Sequence, residues 1–84
     1  MALPENIDEE KLAEIALAVL WLTAHGDNDY MRAWKGLDWD VLTLLHERGW
    51  INDPVGKKKS VVFSREGADL ADRYFEKHFG TKSE

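Results

Sequence analysis

Hydrophobic residues recur at helical spacing through the first part of the chain, and this pattern predicts a first helix that runs to about His25. Asp8 can cap the first amide groups of this helix, and Gly26 stands where helices commonly end. Most of the apolar residues form one stripe, but Leu17 and Trp21 lie on the opposite side. A helix that is apolar on both sides is covered on both sides, either by the rest of the chain or by a second copy of it.

Two further helical segments follow in the middle of the chain. Residues 30–35 predict a short helix that ends at Gly36. A better-marked helix is expected from Trp39 to Arg48, because Asp38 before it can act as its N-cap. We therefore expect two helices joined by a tight turn in this region.

The segment RAWKGLDWD, residues 32–40, joins these two predicted helices. We expect Trp34, on the short helix, to pack against the first helix and close the core. For Trp39, on the first turn of the next helix, two interpretations have equal weight. It belongs to an outward contact surface, or it folds back over the core.

The periodicity changes after Gly49, where extended structure is predicted. Residues 50–51 begin an extended piece, residues 53–56 (Asp-Pro-Val-Gly) are typical of a turn, and the β-branched run at residues 60–63 predicts a strand. The two extended pieces can pair as a hairpin with three lysines near its tip. Those lysines are Lys57, Lys58 and Lys59.

A last helix is predicted after Ser64, which can cap it. Its inner face would contain Ala68, Ala71, Tyr74, Phe75 and either His78 or Phe79. The order helix, short helix, helix, two-stranded wing and helix predicts a mainly α, winged-helix-like domain with one small β-hairpin. We expect one domain over the whole chain, with an ordered core of about residues 7–79.

Two resemblances agree with this order. Residues 37–79, which include LLHERGWI and KSVVFSREGADLADRYF, resemble the second half of winged helix-turn-helix domains. The combination of IDEEKLAEIAL, RAWKGLDWDVL, LHERGWI and DPVGKKKSVVFSREG is similar to a family of short bacterial proteins of uncharacterised function. The RAWKG-x-DW segment is the most recognisable part of that similarity, which implies no catalytic or binding residues.

The composition suits a small cytoplasmic domain. The chain has 84 residues, 44% of them hydrophobic, and no cysteine, which excludes disulfides and thiolate metal sites. Its first residues are acidic and lack the features of a signal peptide. The longest apolar run, residues 15–22, is too short to span a membrane.

Charge is spread unevenly along the chain. The net charge is −5, yet residues 49–65 carry four basic residues and one acidic residue. An anionic partner would therefore be attracted to this part of the chain. The candidate phosphate contacts are Lys57, Lys58, Lys59 and Arg65.

DNA binding is nevertheless the less favoured interpretation. The outward side of the predicted helix from Trp39 to Arg48 carries Trp39, Asp40, Thr43, His46 and Glu47. Two of these are carboxylates, and none is the arginine, lysine, asparagine or glutamine that commonly reads base edges. Three adjacent lysines on a hairpin are also more often a solvated tip than a phosphate clamp. A DNA-binding regulator that uses this lysine wing remains the alternative.

Metal binding and catalysis have little support. His25, His46 and His78 fall on different elements without ligand spacing, and no serine has a histidine near it in sequence. No glycine-rich phosphate loop appears. We therefore expect neither a cofactor nor an enzyme.

The preferred hypothesis is a non-enzymatic module that binds a protein partner or forms a homodimer. The candidate protein-contact residues are Leu17, Trp21, Trp39, Thr43 and His46. The C-terminal helix, with Tyr74, Phe75 and Phe79, is a further candidate dimer element, by analogy with winged-helix proteins.

Overall fold

Three helices and a three-stranded antiparallel sheet make up the fold, so the predicted mainly α class is confirmed. The computed structural model describes residues 3–27, 30–56 and 58–80. In chain order the elements are α1 (Glu9–Trp21), β1 (His25–Asp27), β2 (Tyr30–Trp34), α2 (Trp39–Glu47), β3 (Ser60–Val62) and α3 (Arg65–Phe79).

The three predicted helix caps are confirmed. The Asp8 carboxylate accepts a hydrogen bond from the backbone N–H of Lys11 at 3.0 Å, and the Asp38 carboxylate accepts one from Asp40 at 3.0 Å. The Ser64 hydroxyl accepts one from the N–H of Gly67 at 2.9 Å. Each cap satisfies an amide that has no partner within its helix, so these polar residues locate the helix starts.

The first helix is shorter than predicted. It ends at Trp21, and His25 belongs instead to β1, where it lies opposite Arg32. Gly26 is a strand residue with φ 126°, a conformation that favours glycine, so its role as the end of α1 was wrongly predicted. The hydroxyl of Thr23 accepts a hydrogen bond from the backbone of Trp34 at 3.1 Å, which ties the end of α1 to β2.

The short helix predicted over residues 30–35 is wrong, because this segment is strand β2. Ala33 lies opposite Val61 of β3, and both side chains are fully buried. Arg32 and Trp34 alternate with Ala33 and therefore lie on the other face of the sheet. A strand buries Ala33 against β3 and satisfies its backbone there, whereas an isolated helical turn would not.

Strand β3 is paired on both of its edges. On one edge it pairs with β2. On the other, Ile51 forms an antiparallel bridge with Phe63, and the N–H of Asn52 donates to the carbonyl oxygen of Val62 at 2.9 Å. The predicted pairing of the two extended pieces is therefore present as a short ladder. From α2 onward the order is winged-helix-like, while the hairpin of β1 and β2 precedes it in place of a helix.

One face of the sheet packs on the helices to form a single core. The largest fully buried side chains are Leu17, Leu42, Leu45 and Val61. The buried indole of Trp50 lies beside the Tyr74 ring of α3, with ring centroids 6.2 Å apart. None of the helices in the described ranges combines the length and the hydrophobicity needed to cross a membrane.

Candidate binding surface

The outer face of the sheet carries an exposed tryptophan. Trp34 is 54% exposed, so its predicted place in the core was wrong. The reason is the strand geometry: Ala33 takes the inward position, and Trp34 must point outward. The His25 ring lies against the Trp34 ring with centroids 4.9 Å apart, and His25 Nδ1 is 2.9 Å from the carbonyl oxygen of Thr23. The indole is therefore held in place on one side.

Arg32 on the same face is fixed against the sheet. Its Nε and Nη2 donate to the Ser60 hydroxyl at 2.9 and 2.6 Å. Ser60 is a buried residue of β3, directly opposite Trp34. These bonds join β2 to β3 through side chains beside the exposed indole and make this part of the surface rigid.

A cleft opens next to Trp34 and has a volume of about 510 Å³. We refer to it as the tryptophan–lysine cleft; its lining residues are Trp34, Lys35, Trp39, Gly56, Lys58 and Lys59. Trp39, at the start of α2, is 49% exposed, so it lies on the surface and does not fold back over the core. Two tryptophans that are close in sequence thus share one open site.

Lys35 shapes the cleft rather than projecting freely into it. Its ammonium group donates to the carbonyl oxygen of Pro54 at 2.5 Å and to that of Gly56 at 3.4 Å. Its backbone N–H donates to the carbonyl oxygen of Lys59 at 2.8 Å. These bonds hold the turn after α2 against the end of β2.

The two remaining lysines of the cleft are exposed and available to a ligand. Within the part of the chain that the structure describes, neither Lys58 nor Lys59 forms a salt bridge. Their charges are therefore not neutralised by a neighbouring carboxylate there. An anionic group entering the cleft would meet uncompensated positive charge.

A smaller, apolar pocket also has Trp34 in its lining. Its volume is about 160 Å³, and its lining residues are Val19, Leu20, Leu22, Thr23, Trp34, Gly36 and Leu37. Leu22, just after α1, is 63% exposed. Since Trp34 lines both the apolar pocket and the tryptophan–lysine cleft, the two are adjacent parts of one surface.

The second apolar side of α1 is covered by the chain itself. Leu17 is completely buried, so its assignment to a protein-contact surface was wrong. Trp21 is half-buried and meets the ring of Phe63 edge to face, with centroids 5.2 Å apart. Other parts of the chain, Phe63 among them, cover this side of the helix, which removes the reason to invoke a second copy here.

The outward residues of α2 do not form one surface. Trp39 lines the tryptophan–lysine cleft, whereas Thr43 lines a different groove together with Leu3. His46 is exposed, and its Nδ1 lies 3.1 Å from the carbonyl oxygen of Ile51. The structure therefore separates Thr43 and His46 from Trp39.

The predicted phosphate contacts are also divided. Lys58 and Lys59 line the cleft, and Lys57 lies outside the described residues. Arg65 is exposed at the start of α3 and does not line the cleft. Of the three basic residues that the structure describes, two are therefore brought together with the tryptophans.

Sequence reasoning did not place Trp34 and Leu22 in a site. The alternation of buried and outward residues in β2 was the signal that could have found Trp34, because it is the pattern of a half-buried strand. Leu22 had no such signal, since its exposure follows from where α1 ends. In the described ranges no three His, Asp or Glu residues are grouped so that they could hold a metal ion.

Comparison with known proteins gives family relationships without a function. The model of a family described as a domain of unknown function (DUF6429) matches residues 8–81. An uncharacterised protein, y4hR of Sinorhizobium fredii (strain NBRC 101917 / NGR234), is 47% identical over 74 residues, which cover 88% of this chain and 96% of the relative. No solved structure matches the chain. The expected similarity to small uncharacterised proteins is confirmed, while the status of RAWKG-x-DW as their hallmark remains a prediction.

Proposed function

This chain belongs to the DUF6429 family of domains of unknown function, and we propose that it is a non-enzymatic, cytoplasmic module that binds another protein. The contact surface would be the tryptophan–lysine cleft together with the apolar pocket beside it. The observation that carries the proposal is the half-exposure of Trp34 and Trp39 in one open site.

Exposed tryptophans are costly to leave in water and valuable in an interface. Burying an aromatic side chain removes a large apolar area from solvent, and tryptophan is enriched among the residues that dominate binding energy. Trp34 and Leu22 extend the same apolar surface over the pocket. A partner that covers both residues would gain more binding free energy than a partner that covers a single isolated hydrophobic residue.

The surface is also preorganised. Trp34 stands on a strand paired on both sides, and the His25 ring lies against it. Lys35 is held by two carbonyl oxygens. A binding site whose side chains are already ordered loses less conformational entropy when a partner arrives.

Duplex DNA fits this surface less well. Of the predicted phosphate contacts that the structure describes, Lys58 and Lys59 lie in the cleft and Arg65 does not, and the chain as a whole carries a net charge of −5. Affinity for duplex DNA grows with the number of phosphates that basic residues neutralise. Two lysines on an acidic domain supply few such contacts.

Peptide selection on the immobilised full chain tests the proposal. A phage library of short random peptides is selected on the wild-type protein and counter-screened on Trp34→Ala and Trp39→Ala. We expect enriched peptides whose affinity falls by at least about tenfold on either variant, which corresponds to roughly 1.4 kcal/mol. Both side chains are half-exposed, so these variants should keep the fold, which circular dichroism checks.

Phe79→Ala is the matched control. Phe79 is another exposed aromatic residue, but it stands at the end of α3 and lines neither the cleft nor the pocket. Selected peptides should bind this variant as tightly as the wild type. The absence of any enriched peptide, or equal binding to Trp34→Ala, would reject the proposed surface.

A further inference from the structure

We propose that the apolar pocket and the tryptophan–lysine cleft together bind one acidic peptide segment of a partner protein. The segment would carry a single large apolar side chain a few residues away from a group of carboxylates. This inference rests on the proposed function, because it specifies the chemistry of the protein segment that the surface binds.

The size of the apolar pocket fits one side chain. Its volume is about 160 Å³. A dry protein cavity of about 150 Å³ is large enough to hold a benzene molecule. The pocket therefore has room for one leucine, isoleucine or phenylalanine side chain, and the exposed Leu22 and Trp34 at its wall would be covered by it.

The chemistry of the pocket selects an apolar group. The only polar side-chain groups among the residues that line it are the Thr23 hydroxyl and the indole N–H of Trp34. The Thr23 hydroxyl accepts a hydrogen bond from the backbone N–H of Trp34 at 3.1 Å and donates to the carbonyl oxygen of Leu20 at 3.4 Å. Apart from the indole N–H of Trp34, the lining offers a polar ligand no side-chain donor, so such a ligand would lose most of its hydrogen bonds to water on entry. An aliphatic or aromatic side chain has no such penalty.

The charge of the cleft selects carboxylates. Lys58 and Lys59 are exposed and form no salt bridge within the described residues, while Lys35 is already bound to carbonyl oxygens. Because the chain as a whole is acidic, an acidic segment is repelled elsewhere and attracted here. This local complementarity would orient the segment, in the way that charges across interfaces fix register.

The position of Trp34 connects the two requirements. It lines both the pocket and the cleft, so an extended segment that passes over the indole can place one residue in the pocket and a nearby residue in the cleft. An extended chain advances by about 3.3 Å per residue, so a separation of two to four residues spans one indole ring. The apolar anchor and the carboxylates should therefore be close in the partner's sequence.

Single-stranded nucleic acid is the nearest competing ligand, because exposed aromatic rings beside lysines can stack bases and contact phosphates. Its bases also require hydrogen-bond partners or open stacking faces, and its backbone carries charge at every nucleotide. The apolar lining of the pocket, and a cleft in which Lys58 and Lys59 are the exposed lysines among the described residues, suit it poorly. Nucleic acid is therefore an outcome that the experiment must be able to detect.

The peptides selected on the full chain test this inference through their composition. We expect the peptides that depend on Trp34 to be enriched in aspartate and glutamate, with a leucine, isoleucine or phenylalanine two to four positions away. Synthetic copies in which glutamine and asparagine replace the acids should bind at least about fivefold more weakly at low salt, and this difference should shrink as salt is raised.

Charge reversal on the protein provides the second arm. Lys58→Glu/Lys59→Glu should weaken binding of the selected acidic peptides by about tenfold, because attraction is replaced by repulsion. Lys11→Glu/Arg73→Glu is the matched control, since it makes the same change in net charge at exposed helix positions outside the cleft. That control should change the affinity little.

The outcomes separate the two proposals. Trp34-dependent peptides without acidic enrichment, or peptides unaffected by Lys58→Glu/Lys59→Glu, would overturn this inference and leave the proposed function standing. No Trp34-dependent peptide at all would overturn both. Tighter, Trp34-dependent binding of oligothymidylate than of any selected peptide would assign the surface to nucleic acid instead.

Discussion

Gly67 is a residue whose identity is constrained by a contact outside its own helix. It lies in the first turn of α3, where this helix passes the backbone of Trp50. A Cβ atom at this position would overlap the carbonyl oxygen of Trp50 and lie 2.7 Å from its carbonyl carbon. Because the obstacle is backbone, no side-chain rotation can relieve it.

We therefore expect Gly67→Ala to destabilise the protein. Overpacking of a well-packed contact costs about 1–3 kcal/mol, which outweighs the gain of about 1 kcal/mol that alanine brings to a helix interior. Urea unfolding followed by tryptophan fluorescence measures the difference. The variant should unfold at a lower urea concentration with an unchanged slope.

Gly36→Ala is the control for this prediction. An added Cβ at Gly36 would meet nothing within 4 Å, and this glycine does not have a positive φ. Its stability should stay within about 0.5 kcal/mol of the wild type. If Gly67→Ala were as stable as Gly36→Ala, then α3 would not pass as close to Trp50 as the structure shows.

At the scale of elements, α1 and α3 are joined by a cluster of charged and polar groups. Glu14 of α1 accepts a hydrogen bond from Lys77 Nζ at 2.7 Å, and the same carboxylate oxygen lies 2.5 Å from His78 Nε2. The hydrogen bonds from Lys77 and His78 lower the pKa of Glu14 below its usual value of 4.5. The hydrogen bond to Glu14 in turn raises the pKa of Lys77 above 10.5.

These shifts predict how the stability of the fold depends on pH. A carboxyl group with a lowered pKa in the folded state stabilises the fold above its unfolded pKa, and this contribution is lost as pH falls through the folded pKa. Glu14→Gln should therefore lower the melting temperature at neutral pH, and its difference from the wild type should vanish as pH falls below 4.5. For Lys77 the pKa is raised, so its contribution to the stability of the fold is present at lower pH and is lost as pH rises beyond 10.5.

Thermal melts of wild type and Glu14→Gln across the acidic and neutral range check this prediction. Glu5→Gln is a suitable control, because Glu5 is exposed ahead of α1. Its melting curve should follow the wild type at each pH. A difference between Glu14→Gln and the wild type that persisted unchanged at low pH would show that the effect does not come from the charge of Glu14.

The helices were easier to predict from sequence than the strands because their signals are local. Asp38 and Ser64 lie directly before α2 and α3, and each accepts the capping bond expected of it. Strand β2 has no such capping residue, and its identity depends on β3, a distant part of the chain in which Ser60 pairs with Trp34 and Val62 with Arg32. A segment of five residues is too short for its sequence pattern to distinguish a strand from a helix when the partner strand is distant.

At the scale of the whole molecule, the wrong prediction of a helix over residues 30–35 also prevented the tryptophan–lysine cleft from being predicted. Trp39, Lys58 and Lys59 could each be recognised as candidates from their residue types and neighbours. What brings them together is the outward position of Trp34, which follows only once residues 30–34 form a strand beside β3. Residue types can therefore identify candidate binding residues, but the pairing of distant strands determines which of these residues lie next to each other.

The same reasoning predicts the oligomeric state. The homodimer hypothesis rested on a second apolar side of α1 and on the aromatic C-terminal helix, and Leu17 on the first of these is completely buried within the chain. We therefore expect sedimentation equilibrium to give the monomer mass of 9.7 kDa at micromolar concentration. If Trp34 and Trp39 instead mediate self-association, the mass should rise with concentration and return to that of a monomer in a Trp34→Ala/Trp39→Ala variant.

A dimer that survives this double substitution would contradict both expectations. Its interface would then have to use other exposed apolar side chains, of which Phe79 at the end of α3 belongs to the predicted C-terminal dimer element. Phe79→Ala should in that case give monomers, because removing a half-exposed aromatic anchor costs an interface more than removing a polar residue at its rim. The tryptophan surface would remain free to bind a different protein, so its peptide selection should give the same result for monomer and dimer.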